Sequence, residues 1–181
     1  MQARSQAPIR TRGLVLLELL VAGCVLALLI ALAVPSFAAI SDRWKVRHAV
    51  DTLTSSLYAA RAEAFRRGGR ITLARSDNSE DCSAAKDASH WDCGWTAFVD
   101  ANENGKRDEG DELLFVGQSP SGLEVVQTSG LGALKFDAWG ELMGLGALSF
   151  KVCSRSSAST IAISSGGRIR ATAGNAAAPR C

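Results

Sequence analysis

Four groups of residues carry types and spacings that can do chemistry. Asp100, Asn102, Asn104, Asp108 and Asp111, with Gly105 where the chain must turn sharply, set oxygen ligands at the spacing of a calcium loop. The twelfth loop position is Asp111 rather than a bidentate glutamate, and Asn104-Gly105 also suits a plain turn between strands, so an acidic hairpin without metal fits the same residues. Arg168 and Arg170 flank Ile169. In a strand, residues two apart face one side, so two guanidiniums would meet successive phosphates while Ile169 points inward, and Gly166-Gly167 would let a backbone approach closely. Read without context, the same pattern is a soluble strand face. Cys82, Cys93, Cys153 and Cys181 form an even set, and Glu18 is a lone acid in an apolar stretch.

Catalysis finds no support. His48 and His90 are isolated, no nucleophile elbow or phosphate loop is present, and the serines from Ser154 to Ser165 fit strands and turns. The four cysteines allow three pairings; Cys82 with Cys93 would close a short polar loop, and Cys153 with Cys181 would tie the tail to a strand. Zinc would need closely paired ligands, and no CxxC is found.

The elements that must position these groups follow from the apolar pattern. Residues 14–33 carry one charge, Glu18, and about 20 residues at roughly 1.5 Å each match a bilayer core of about 30 Å. Beyond it Val46, Val50, Leu53, Leu57, Ala60 and Ala64 recur every three or four residues, which predicts one apolar helix face. Gly68-Gly69 stops that helix, so a single helix over about 14–67, kinked near Pro35, is expected. Arg43, Lys45, Arg47, His48, Arg61, Arg66 and Arg67 fall mostly on its solvated face. Short β-rich runs follow at 70–75, 94–100, 112–116, 123–128, 134–137, 147–153, 160–164 and 168–172, separated by Gly, Ser, Asn and Pro. The fold class is α+β, with an antiparallel sheet or two packed on the helix. Trp44, Trp91, Trp95 and Trp139 read as core or interface anchors rather than stacking platforms.

The chain has 20 basic and 18 acidic residues, and without Arg4, Arg10 and Arg12 it is nearly neutral. Attraction to nucleic acid must therefore come from a local patch. Acids crowd residues 77–112, against Lys86, Lys106 and Arg107 only. After Glu141 there is no acid, and Lys151, Arg155, Arg168, Arg170 and Arg180 make one end of the head basic.

A basic leader ending in Gly13, then Leu14-Val15-Leu16-Leu17-Glu18, resembles the signal of type IV prepilins and pseudopilins. The resemblance implies that a prepilin peptidase cuts after Gly13 and methylates Leu14, where the family usually has Phe. It also implies that Glu18 meets the amino terminus of a neighbouring subunit. Gly94 to Gly105, with Asp108, Gly110, Asp111, Glu112, Leu113 and Leu114, resembles a recurrent segment of the GspH/FimT family. Gly167-Arg168-Ile169-Arg170 resembles the GRxR motif of FimT-like minor pilins implicated in binding DNA during natural transformation.

The expected organisation is a leader at 1–13, a transmembrane and assembly helix at 14–40, and a head at 41–181 with a helix over about 41–67 and β structure over 70–181. The resemblance implies an inner-membrane protein with a periplasmic head, incorporated in a pilus beside other major and minor pilins. It implies double-stranded DNA as ligand of Arg168, Arg170, Arg180, Lys151 and Arg155, without enzyme activity or obligatory cofactor. The alternative is a structural subunit priming assembly of a pilus or type II secretion pseudopilus. Two rival readings of the N-terminus are a lipoprotein box at Val21-Ala22-Gly23-Cys24, which the apolar residues after Cys24 argue against, and an ordinary signal peptide, for which the run is long.

Overall fold

A computed structural model describes residues 12–76, 87–174 and 181. One helix, α1 (Arg12–Arg67), is followed by eight strands: β1 (Ile71–Arg75), β2 (Trp95–Val99), β3 (Leu113–Gly117), β4 (Glu124–Gln127), β5 (Ala133–Phe136), β6 (Leu148–Cys153), β7 (Ala158–Ile163) and β8 (Ile169–Ala173). Every expected strand forms, with ends moved by one or two residues. The chain divides into two compact units, Met1–Ile40 and Ser41–Cys181.

In the first unit the side chains from Leu16 to Ile30 stand exposed along α1. Among the described residues no helix is long and apolar enough to cross a membrane.

In the second unit, Val46, Ala49, Val50, Leu53, Leu57, Ala60 and Ala64 are buried, which fulfils the three-and-four spacing. The helix stops where the glycines take over: Gly68 and Gly69 adopt positive φ (76° and 99°), and the Gly69 N–H donates to the Ala64 carbonyl at 2.8 Å. The strands form two antiparallel four-stranded sheets, in the orders β3-β2-β1-β5 and β4-β6-β7-β8. Their inward positions, among them Ile71, Leu73, Trp95, Leu134, Phe136, Val125, Phe150, Val152, Ile161 and Ile163, join the helix residues in one core. Trp91 meets Phe150 edge to face at 5.0 Å, so Trp91 and Trp95 are core residues. Trp44 and Trp139 are exposed.

A disulfide joins Cys153, the last residue of β6, to Cys181 across a separation of 28 residues. Closing a loop of that length takes on the order of 3–4 kcal/mol of freedom from the unfolded chain. Cys93 is also disulfide-bonded, and its expected partner Cys82 lies outside the described residues. Cys24 is free and exposed.

Candidate functional site

The β7–β8 turn places the two arginines. The Ser164 carbonyl accepts from the Gly167 N–H at 2.9 Å, Ser164 N–H donates to the Arg168 carbonyl at 3.0 Å, and Arg168 N–H donates to Ser164 Oγ at 3.1 Å. The tight reversal needs the left-handed backbone of Gly167 (φ 70°). Ile169 then enters the core, and Arg168 and Arg170 emerge exposed on its two sides. Their α carbons are about 7 Å apart at ~3.4 Å per residue. Among the described residues no carboxylate forms an ion pair with either.

Register extends the face. Arg170 stands opposite Ala162, and Ala162 opposite Ser149. Lys151, two residues beyond Ser149, shares the outer side of the sheet. Two strand spacings and two residues put Lys151 about 12 Å from Arg170. Arg155 sits in the β6–β7 turn, at the far end of that hairpin from the β7–β8 turn, so it does not join the arginine pair. Arg180 lies outside the described residues. Among the described residues, the basic tail therefore shows an arginine pair with one lysine beside it and Arg155 apart from them.

Of the two glycines, Gly167 is required by close contacts within the protein itself. A Cβ on Gly167 would lie 2.5 Å from the Gly140 carbonyl oxygen and 3.1 Å from the Arg61 guanidinium. One on Gly140 would lie 2.6 Å from Arg61 Cγ. Arg61 thus threads between two turns, and its guanidinium donates to the carbonyls of Gly167 (2.6 Å) and Gly166 (3.2 Å). One helical turn earlier, the Tyr58 hydroxyl donates to the Ile169 carbonyl at 3.2 Å. Tyr58 and Arg61 lie three apart, hence on one side of α1, and fasten β8 to the helix. Sequence reading put Arg61 on the solvated face; a long-range pairing with backbone carbonyls leaves no signal in local spacing. The nearby acid is Glu141, whose Oε1 lies 3.9 Å from the Cβ position of Gly166.

The 100–111 loop is built the opposite way. Asp100 is fully buried, and its carboxylate accepts from Thr72 Oγ1 (2.8 Å), Asn104 N–H (3.0 Å) and Gly105 N–H (2.8 Å). Asp108 accepts from the side-chain amides of Asn102 (2.9 Å) and Asn104 (2.6 Å), which hold its carboxyl below the ordinary value of 3.8. Asp111 accepts from Asp108 N–H at 2.8 Å. These carboxylates accept hydrogen bonds from neighbouring N–H, amide and hydroxyl groups, so the loop is held closed by the protein's own residues. Among the described residues no group of three or more His, Cys, Asp or Glu is placed to hold a metal. A second acidic turn, at Asp87, is likewise self-contained: hydrogen bonds from Ser89 and then His90 lower its carboxyl to about 2. At the helix end, Glu63 is held below its ordinary value by Arg66 and Arg67.

At the N-terminal end, Gly13 and Leu14 lie in the first turn of α1, and Glu18 is exposed. Glu18 shares a shallow strip with Leu17, Val21, Ala22, Val25, Leu26 and Leu29. Those residues recur at helical spacing and leave one carboxylate in an otherwise apolar surface.

A helix whose apolar half anchors two antiparallel sheets is the architecture of a type IV pilin-like subunit. The family model of GspH, the type II transport protein, matches residues 49–167. The chain belongs to the GspH family, and is a minor pilin or pseudopilin, a pilus-associated structural subunit. Two crystal structures of the type IV minor pilin FimU from Pseudomonas aeruginosa share the fold. The form in space group P21 has a TM-score of 0.56 and 21% identity, covering 74% of this chain and 95% of that one. The form in P65 has a TM-score of 0.56 and 20% identity, covering 71% and 97%. No curated protein matches the sequence.

Proposed function

We propose that this protein is a minor subunit of a type IV pilus whose head binds DNA through the phosphate backbone during natural transformation. The observation that carries the reading is the arginine pair of β8: two exposed guanidiniums flanking buried Ile169, with no ion-pair partner among the described residues. Such a pair meets phosphates without reading sequence, and its grip weakens steeply with salt. Lys151 adds a third contact on the same face, and double-stranded DNA is a ligand that these phosphate contacts alone can hold. Capture is adhesion, and retraction by the pilus machine does the work of uptake.

In this reading a prepilin peptidase cuts between Gly13 and Leu14 and methylates the new amino terminus. Residues 14–40 anchor the chain in the inner membrane with the head in the periplasm until it enters the pilus among other pilins. Glu18, costly in hydrocarbon without a partner, pairs with the amino terminus of a neighbouring subunit. The apolar strip around Glu18 supports this packing, and it equally favours a second reading, in which the head only primes assembly of a pilus or type II secretion pseudopilus.

The test is an electrophoretic shift of duplex DNA by the head from residue 41, whose core is self-contained. At low salt the wild-type head retards the duplex, and Arg168→Ala with Arg170→Ala weakens binding more than tenfold, on the order of 1 kcal/mol or more per guanidinium. A wild-type head that leaves the duplex unshifted would remove the DNA reading and leave the structural one.

A further inference from the structure

Beside the arginine turn stands an aromatic surface that phosphate binding does not use. Trp139 is 74% exposed and Phe65 68% exposed, large apolar areas beside the arginine turn. The backbone under Trp139 is fixed. Gly140 N–H donates to the Asp137 carbonyl at 3.0 Å, and the Asp137 carboxylate accepts from Trp139 N–H (2.9 Å) and Glu141 N–H (2.8 Å). A Cβ on Gly69 would lie 3.1 Å from Ala138 N, and Gly140 packs on Arg61, so this turn runs along the end of α1 where Phe65 projects.

The two turns touch back to back. The 2.5 Å from the Gly167 Cβ position to the Gly140 carbonyl oxygen means that Trp139 and Arg168 are each one residue from a backbone contact. Their α carbons are therefore at most about 14 Å apart, within the joint reach of an indole and a guanidinium. An exposed indole on a fixed turn, near two cations, is an arrangement that takes a nucleic-acid strand with bases uncovered: phosphates on the arginines and a base stacked on the ring. In a duplex the base faces are already stacked on each other and unavailable. Glu141, two residues after Trp139, brings its Oε1 to 3.9 Å from the Cβ position of Gly166, two residues before Arg168, so one acid stands between the two turns.

We propose that Trp139 forms a base-stacking subsite that makes the head prefer single-stranded DNA, such as frayed ends, over duplex. The proposal rests on the DNA reading of Arg168 and Arg170. It is tested with full-length protein in detergent and a labelled deoxyoligonucleotide of about 20 mixed bases, single-stranded or as duplex. Binding is measured for wild type, Trp139→Ala, Trp139→Phe and the double arginine variant.

We expect the single strand to bind about tenfold tighter than duplex, Trp139→Ala to remove that preference without changing duplex affinity, and Trp139→Phe to restore most of it. Tryptophan emission falls on binding the single strand in wild type, and the fall is lost in Trp139→Phe. Equal binding of both forms by wild type overturns the proposal. So does an unchanged preference in Trp139→Ala, and if the double arginine variant then loses both forms, DNA binding stands without the stacking subsite. Failure of wild type to bind either form removes both ideas. If Trp139→Ala keeps all DNA affinities but fails to co-purify with other pilins, the ring is a subunit contact and the stacking proposal falls.

Discussion

The 100–111 loop and the 164–170 turn are both dense in polar groups at suggestive spacings, yet they are opposite kinds of structure. In the loop, Asp100, Asp108 and Asp111 accept hydrogen bonds from residues of their own segment or, through Thr72, from β1. In the turn, Arg61 and Tyr58 come from α1 to satisfy the backbone, and the turn's own arginines remain free to face solvent. Spacing shows that charged atoms are near one another. Only the account of their partners shows whether they are available to a ligand.

The contrast can be broken at either end. Replacing Asp100 with Ala strands the buried Thr72 hydroxyl and removes the acceptor of two partly exposed N–H groups, so chemical denaturation should show a loss of about 2–3 kcal/mol with DNA affinity of the surviving folded protein unchanged. Gly167→Ala meets both a left-handed φ and the Gly140 carbonyl, and should lower stability by about 2 kcal/mol while disturbing Arg168. By contrast, Arg168→Ala with Arg170→Ala should leave thermal unfolding within about 0.5 kcal/mol of wild type, because neither side chain has a partner to lose among the described residues.

Acid sharpens the comparison further. Asp108 and Asp87 titrate below their ordinary value of 3.8, so the stability they add is fully present above that value and is lost as pH falls through the folded value, about 2 for Asp87. Loosening of these loops, followed through the Asn102 and Asn104 amide resonances, is therefore expected only below about pH 4. The arginines keep their charge throughout, so the DNA contact does not follow the same profile. The smallest effect expected is that of calcium: about 1 mM should leave the unfolding temperature unmoved, because the loop is already held closed by its own hydrogen bonds.

Most of the fold was legible because it depends on local periodicity. The spacing of Val46, Val50, Leu53, Leu57, Ala60 and Ala64 shows the buried helix face, and Gly68-Gly69 shows where it ends. The alternation at Arg168-Ile169-Arg170 likewise shows which side chains emerge. What spacing does not carry is the meeting of segments distant in the chain. Arg61 reads as a solvated helix residue until it is seen between Gly140 and Gly167. Trp139 reads as a core or interface anchor, and only the structure shows that its turn stands clear of the core. Arg155 reads as part of the basic tail until strand register puts it at the far end of its hairpin.

The central claim is that the β8 arginine pair meets phosphates, and the dependence of DNA affinity on salt tests it most directly. Each phosphate contact contributes about 0.9 to the slope of log K against log salt, so the account predicts that Arg168→Ala with Arg170→Ala lowers the wild-type slope by about two. Equal slopes for the two proteins would contradict it.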